Sequence, residues 1–187
     1  MTTVYFIRHA EPDFSNHDDK QRPLTRKGIK DRKRVSEYLE DKAIDIVLSS
    51  PYRRAIETVE DFAQLKGLDI VTIDDFRERK VDSCWIEDFD QFSRSQWADF
   101  SYKLNDGECL MEVQERNIKA LMEVIDQYKD KNIVIGSLGT ALSTVINCYD
   151  SSYEYEDFQQ MRHRMPWIVK FTFDGKVCQQ IEKIDVL

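Results

Sequence analysis

Short apolar runs alternate with segments of helical spacing along most of this chain, and that alternation restricts the fold more than any single motif. Residues 4–7, 44–48, 70–73 and 132–136 are brief, apolar and largely β-branched, as buried strands are. Helix patterns lie between them. Thr25 can cap a helix running to about Lys42, with Ile29, Val35, Tyr38 and Leu39 on its inner face. Ala55, Ile56, Val59, Phe62 and Ala63 form a second stripe, stopped by Gly67. Leu110, Val113, Leu121, Val124 and Ile125 mark a long helix over 110–128, and 140–149 reads as a shorter one. This order predicts an α/β fold with a mostly parallel sheet and helices on both faces, in three α/β/α layers. Asp174-Gly175 separates strand-like runs at 167–173 and 177–184, the signature of a C-terminal β-hairpin. The hairpin must add antiparallel pairing, so the sheet is expected to be mixed.

A single domain over residues 1–187 accounts for a chain of this length. Segment 79–107 fits the alternation least. Its Trp85, Phe89, Phe92, Trp97 and Phe100 stand at nearly helical spacing, which reads as a buried helix face within an inserted, lid-like segment. A formal net charge of −8 argues against nonspecific binding to nucleic acid or to an anionic membrane, while allowing a local basic pocket. Cys84, Cys109, Cys148 and Cys178 have no short pair spacing, which suits reduced thiols rather than disulfides or a zinc site. No targeting segment or membrane-length apolar stretch is present, so a cytoplasmic location is expected.

In a parallel sheet the carboxyl ends of the strands share one edge, where α/β proteins place their ligands. The first run delivers Arg8-His9 to that edge and breaks at Glu11-Pro12. Neutral imidazole can attack phosphorus, and a guanidinium beside it can grip two phosphoryl oxygens. Arg162-His163 repeats the dipeptide without a converging arginine, acid or strand end, so partners must separate the two. The second run ends in Ser49-Ser50-Pro51-Tyr52-Arg53-Arg54-Ala55, a strand turning into a helix start whose free N–H groups suit an anion. Arg53 and Arg54 stand about 100° apart around that helix, so only one can face the edge. The fourth run ends in Gly136-Ser137-Leu138-Gly139-Thr140, another strand-to-helix turn. After the third, Arg77-Glu78-Arg79 sets a carboxylate among cations; taken alone, that is an ordinary surface ion pair.

Together these segments resemble the phosphoglycerate mutase-like histidine phosphatases, small phosphatase branch. Phe6-Ile7-Arg8-His9-Ala10-Glu11 resembles the family's Arg-His-Gly segment, with Ala10 in place of glycine. Pro23-Leu24-Thr25-Arg26-Lys27-Gly28 resembles its Leu-Thr-x-x-Gly. Ser50-Pro51-Tyr52-Arg53-Arg54-Ala55, followed by Thr58, resembles its Ser-x-x-x-Arg-Ala-x-x-Thr, and Phe76-Arg77-Glu78-Arg79 its acid-bearing segment. The order of the four extends the resemblance over nearly the whole chain. It implies that His9 is the nucleophile and becomes a phosphohistidine. It implies too that Arg8 and Arg54 clamp the phosphoryl oxygens, and that Glu78 protonates the leaving oxygen and later takes a proton from water. The pattern's binding arginine directly precedes Ala55, hence Arg54 rather than Arg53. Attack requires one unprotonated ring nitrogen on His9, with the other donating to a carbonyl or carboxylate. Glu78 can act near neutral pH only where its surroundings favour a protonated carboxyl. Ser15 and Asn16, in the loop after His9, can donate to the phosphoryl group or serve the loop alone. His17 reads as a solvated loop residue and His163 as a helix-surface one.

One position departs from the resemblance. Where the family carries a second histidine before glycine, this chain has Leu138. Leucine offers no donor, and losing one preorganised donor costs about 10²–10³ in rate. Ser137, the N–H of Gly139 or a water can fill part of that gap. The expectation is a metal-independent phosphatase acting on a small phosphate monoester through a phosphohistidine, slowed by Leu138 whether that residue is natural or introduced. A non-catalytic binder of phosphorylated ligands is the alternative. A mutase fits less well, because the chain is short for the enclosing segments that reaction needs. No cofactor or metal is expected, since arginines supply the positive charge and no carboxylate cluster has ligand spacing. The expected partner is a small phosphorylated metabolite, with the oligomeric state open.

Overall fold

The computed structural model describes all 187 residues. Its strands are β1 (Thr2–Arg8), β2 (Ile46–Ser49), β3 (Ile70–Thr72), β4 (Asn132–Ser137), β5 (Trp167–Asp174) and β6 (Val177–Ile184). Its helices are α1 (Arg26–Leu39), α2 (Arg53–Lys66), α3 (Phe89–Ala98), α4 (Leu110–Gln127), α5 (Gly139–Tyr149) and α6 (Tyr155–Met161). The six strands form one sheet in the order β3-β2-β4-β1-β5-β6. The pairs β1–β4, β4–β2 and β2–β3 are parallel, while β1–β5 and β5–β6 are antiparallel. The sheet is therefore mixed, with the carboxyl ends of β1, β2 and β4 side by side on one edge.

Strand alternation divides the core into two layers. Tyr5 and Ile7 of β1 pack with Val35 and Leu39 of α1 and with Val59, Phe62 and Ala63 of α2. Val4 and Phe6 face the other way, against Leu121 and Val124 of α4, Leu142 and Ile146 of α5, and Met161 of α6. Helices on both faces explain why β1 and β4 read as unbroken apolar runs.

Helix α1 begins as expected, with the Thr25 hydroxyl accepting the Gly28 N–H at 3.0 Å, a cap worth about 1 kcal/mol. It stops at Leu39, three residues short of Lys42. Ile29, expected inside, is exposed. The buried residues of the helix are Gly28, Val35, Ser36 and Leu39, and Ile29, in the first turn, is not among them. Gly28 sits there because nothing larger fits: a Cβ would meet the Glu11 carbonyl oxygen at 2.3 Å. The Thr-x-x-Gly motif thus presses α1 onto the loop that follows His9.

Segment 79–107 contains α3, which starts only at Phe89 because Asp88 caps it, its carboxylate accepting the Gln91 N–H at 2.9 Å. Phe92 is buried, and Trp97 packs near Phe158 and Phe100 with ring centroids 5.6 and 5.4 Å away. Trp85 precedes the helix and is 66 % exposed, so it does not belong to the expected buried stripe. No helix is long and apolar enough to cross a membrane.

Candidate active site

His9 follows β1 directly and is pinned by its own backbone, whose N–H donates to the Ser137 carbonyl of β4 at 3.1 Å. Its Nδ1 lies 2.8 Å from the Ala10 carbonyl oxygen. A carbonyl only accepts, so Nδ1 carries the proton and Nε2 keeps its lone pair. The ring is 5 % exposed. Burial, then the nearby Arg54 and Arg8 guanidiniums, hold the imidazole well below its ordinary value of 6.5. Thr58 gives the Arg-Ala-x-x-Thr motif a mechanical meaning. Its hydroxyl accepts the Ala10 N–H at 3.0 Å and donates to the Arg54 carbonyl at 2.7 Å, joining the His9 loop to α2.

Arg8 leaves the end of β1 and turns toward α6, where its Nη1 donates to the carbonyls of Met161 at 2.5 Å and Arg164 at 2.9 Å. Its Nε has no partner within the chain. Gly139 makes room for this side chain, since a Cβ there would stand 3.1 Å from Nε and 3.4 Å from Nη2. Burial pushes the guanidinium down to about 10, with Glu78 opposing the shift. Arg54 is 4 % exposed and lies over the Tyr52 ring, 5.2 Å from its centroid. Arg53 turns outward instead and pairs with Glu57 at 2.6 Å.

Glu78 does not form the surface ion pair that its neighbours suggest. Arg77 bonds Asp74 and Asp75, and Arg79 donates to the Gln96 side chain. The Glu78 carboxylate instead accepts three backbone N–H groups: Arg79 at 2.8 Å, Thr140 at 3.0 Å and Ala141 at 2.9 Å. Two of these are free donors in the first turn of α5, so Glu78 caps the helix that Gly139 begins. Leu138 is fully buried in an apolar cluster with Tyr52, Ala55, Val113 and Ala141. The Ser137 side chain is fully buried and its hydroxyl has no partner. Ser15 and Asn16 are engaged within their own loop. The Ser15 hydroxyl donates to Asp13 at 2.6 Å, and the Asn16 side-chain oxygen accepts the Asp18 N–H at 2.9 Å.

Four further residues reach this edge without a signal in the sequence. Arg22 is buried, donates from Nε to the Asn16 carbonyl at 2.8 Å, and contributes to the field on His9. Asp19 pairs with Arg54 at 3.0 Å and with Arg22 at 3.3 Å. Arg79 is 3 % exposed without a carboxylate partner, and its guanidinium lies 5.3 and 5.1 Å from the ring centroids of Phe89 and Phe92. Burial pushes it down to about 10. Arg162 follows α6 and adds its field at Arg8. A chain of net charge −8 therefore gathers a local basic pocket.

A buried imidazole thus lies among arginines at the strand-end edge. The family model for the histidine phosphatase superfamily (branch 1) matches residues 4–184, and the chain belongs to that superfamily. It is similar to the "Uncharacterized phosphatase PhoE" of Bacillus subtilis (strain 168), with 29 % identity over 78 % of this chain and 76 % of that one. It is also similar to the "Probable phosphoglycerate mutase GpmB" of Salmonella arizonae, with 26 % identity over 93 % of this chain and 94 % of the other. Among solved structures, phosphoserine phosphatase from Entamoeba histolytica, in complex with 3-phosphoglyceric acid, superposes with a TM-score of 0.79. That match has 20 % identity and covers 100 % of this chain and 99 % of that one.

Proposed function

We propose that this chain is a cytoplasmic phosphatase that hydrolyses a small phosphate monoester, without a metal, through a phosphohistidine on His9. The observation that carries the reading is the His9 ring, whose Nδ1 is tied to the Ala10 carbonyl so that Nε2 is left as a nucleophile beside Arg8 and Arg54. The phosphoryl group docks between the two arginines, where charge gathers as the ester bond loosens. Nε2 forms the bond to phosphorus as the ester P–O bond breaks, and Glu78 passes a proton to the departing alcohol oxygen. Water then attacks the phosphohistidine and yields its proton to Glu78, and inorganic phosphate leaves with His9 restored. The N–H groups of Arg79, Thr140 and Ala141 fix the Glu78 carboxyl in place. The four cysteines stand as free thiols, which fits a reducing compartment.

Leu138 favours slow turnover, and it is the specific observation behind a second reading, a binder of phosphorylated ligands that does not turn over. Release of phosphate from an aryl phosphate, in the presence of a chelator, separates the two. The phosphatase reading expects slow release that is lost in His9→Ala and raised about 10²–10³-fold in Leu138→His. If neither the natural chain nor Leu138→His releases phosphate while vanadate still raises the melting temperature, the binder is correct.

A further inference from the structure

We propose that Asp19 is an internal occupant of the phosphoryl clamp, displaced by the phosphoryl group of an arriving ligand, and that residues 16–22 form the gate it closes. This deepens the proposed function and rests on its clamp. A guanidinium grips an oxyanion through two parallel N–H donors. In Arg54 both terminal nitrogens are already engaged by one residue: Nη1 donates to the Asp19 carbonyl at 2.5 Å and Nη2 to the Asp19 carboxylate at 3.0 Å. The same carboxylate oxygen takes the Nη1 of Arg22 at 3.3 Å. A phosphoryl group cannot use that edge of Arg54 until Asp19 leaves it. The pair is asymmetric in a way that suits displacement. The Arg54 side chain is 4 % exposed and fixed, whereas that of Asp19 is 44 % exposed and can swing into solvent.

The loop is built to move as a unit. The Asp18 carboxylate accepts the N–H groups of Lys20 and Gln21, both at 3.1 Å, and its carbonyl accepts that of Arg22 at 2.8 Å. Outside itself, besides the Asp19 contacts, the loop is held by an N–H bond from Arg53 to the Lys20 carbonyl at 2.9 Å, and at its start by the Asn16 N–H on the Asp13 carbonyl at 3.1 Å and by Arg22 over the Phe14 ring, 5.6 Å from its centroid. It also stacks His17 on the exposed Trp85, with ring centroids 4.6 Å apart and an interplanar angle of 11°. Opening the gate separates that stack, so Trp85 reports on it.

The test is the affinity for inorganic phosphate and for vanadate, measured by calorimetry on the whole chain. Asp19→Asn and Asp19→Ala are expected to bind each anion roughly three- to fivefold tighter than the natural chain, the upper range for losing a partly exposed charged competitor. Asp74→Asn, which removes an equal charge from the Arg77 pair, is expected to stay within about twofold. Phosphate is expected to change tryptophan emission in the natural chain and not in Trp85→Phe. Equal or weaker binding by both Asp19 variants, with the natural chain still binding, overturns the proposal and makes Asp19 a positioning residue for Arg54, leaving the phosphatase reading intact. An emission change that persists in Trp85→Phe overturns the gate. Absence of binding by every protein overturns the clamp itself, and the proposed function with it.

Discussion

Replacing His9 by Gln should flatten the dependence of stability on pH. In the native chain burial and two guanidiniums keep the imidazole neutral well below its ordinary value of 6.5. The unfolded chain has no such restraint and takes up a proton near 6.5. Unfolding below that pH therefore consumes a proton, and stability falls with acidification by up to about 1.4 kcal/mol per pH unit. For a ring that stays neutral over the whole interval, the loss between pH 7 and pH 5 sums to about 2 kcal/mol. That is a large part of a typical total of about 5–15 kcal/mol. Glutamine does not titrate, so this component disappears, whatever its own burial costs at a single pH. Urea unfolding of both proteins from pH 5.0 to 7.5 isolates the effect as a difference of slopes, because every other titrating group is common to the pair. Parallel stability profiles would refute the reasoning, as would a folded-state imidazole resonance titrating with a midpoint above 6.

Three substitutions at two further positions test the surroundings. Glu78→Ala leaves the N–H groups of Arg79, Thr140 and Ala141 without their acceptor, and is expected to cost about 1–2 kcal/mol in urea unfolding. Glu78→Gln keeps one oxygen acceptor and should lose less; equal losses would deny the capping role. Gly139→Ala places a methyl group 3.1 Å from the Arg8 Nε, so phosphate affinity should fall severalfold while stability stays within about 1 kcal/mol. Unchanged affinity would show that Arg8 does not hold phosphate from that side.

Local chemistry made much of the fold legible. Thr25 and Gly67 mark helix ends because capping and a left-handed turn depend on the residues at those positions. The double-faced burial of β1 and β4 is written as unbroken apolar runs, and the C-terminal hairpin in its glycine turn, where Gly175 has φ +56°. Neighbours on a helix diverge by about 100°, so only one of Arg53 and Arg54 can face the edge; the resemblance to the family, not the spacing, singled out Arg54. Ile29 and Trp85 show where the same reasoning fails. Each is an apolar residue near a true stripe, and only the packing of Gly28 on Glu11 and the cap at Asp88 decide that it lies outside.

The sequence by itself determined the sheet's strands and the strand-end edge and, through the resemblance its motifs carry, named Arg8, His9, Arg54 and Glu78 as candidates. Tertiary structure decided how they are used. Asp19 meets Arg54 across 35 residues, Glu78 meets Thr140 across 62, and Arg8 meets Met161 across 153. No periodicity or spacing encodes such meetings, because each depends on where a flexible side chain ends once two distant elements have packed. The same holds for the neutral state of His9, which follows from burial and from the charges that the fold gathers around it.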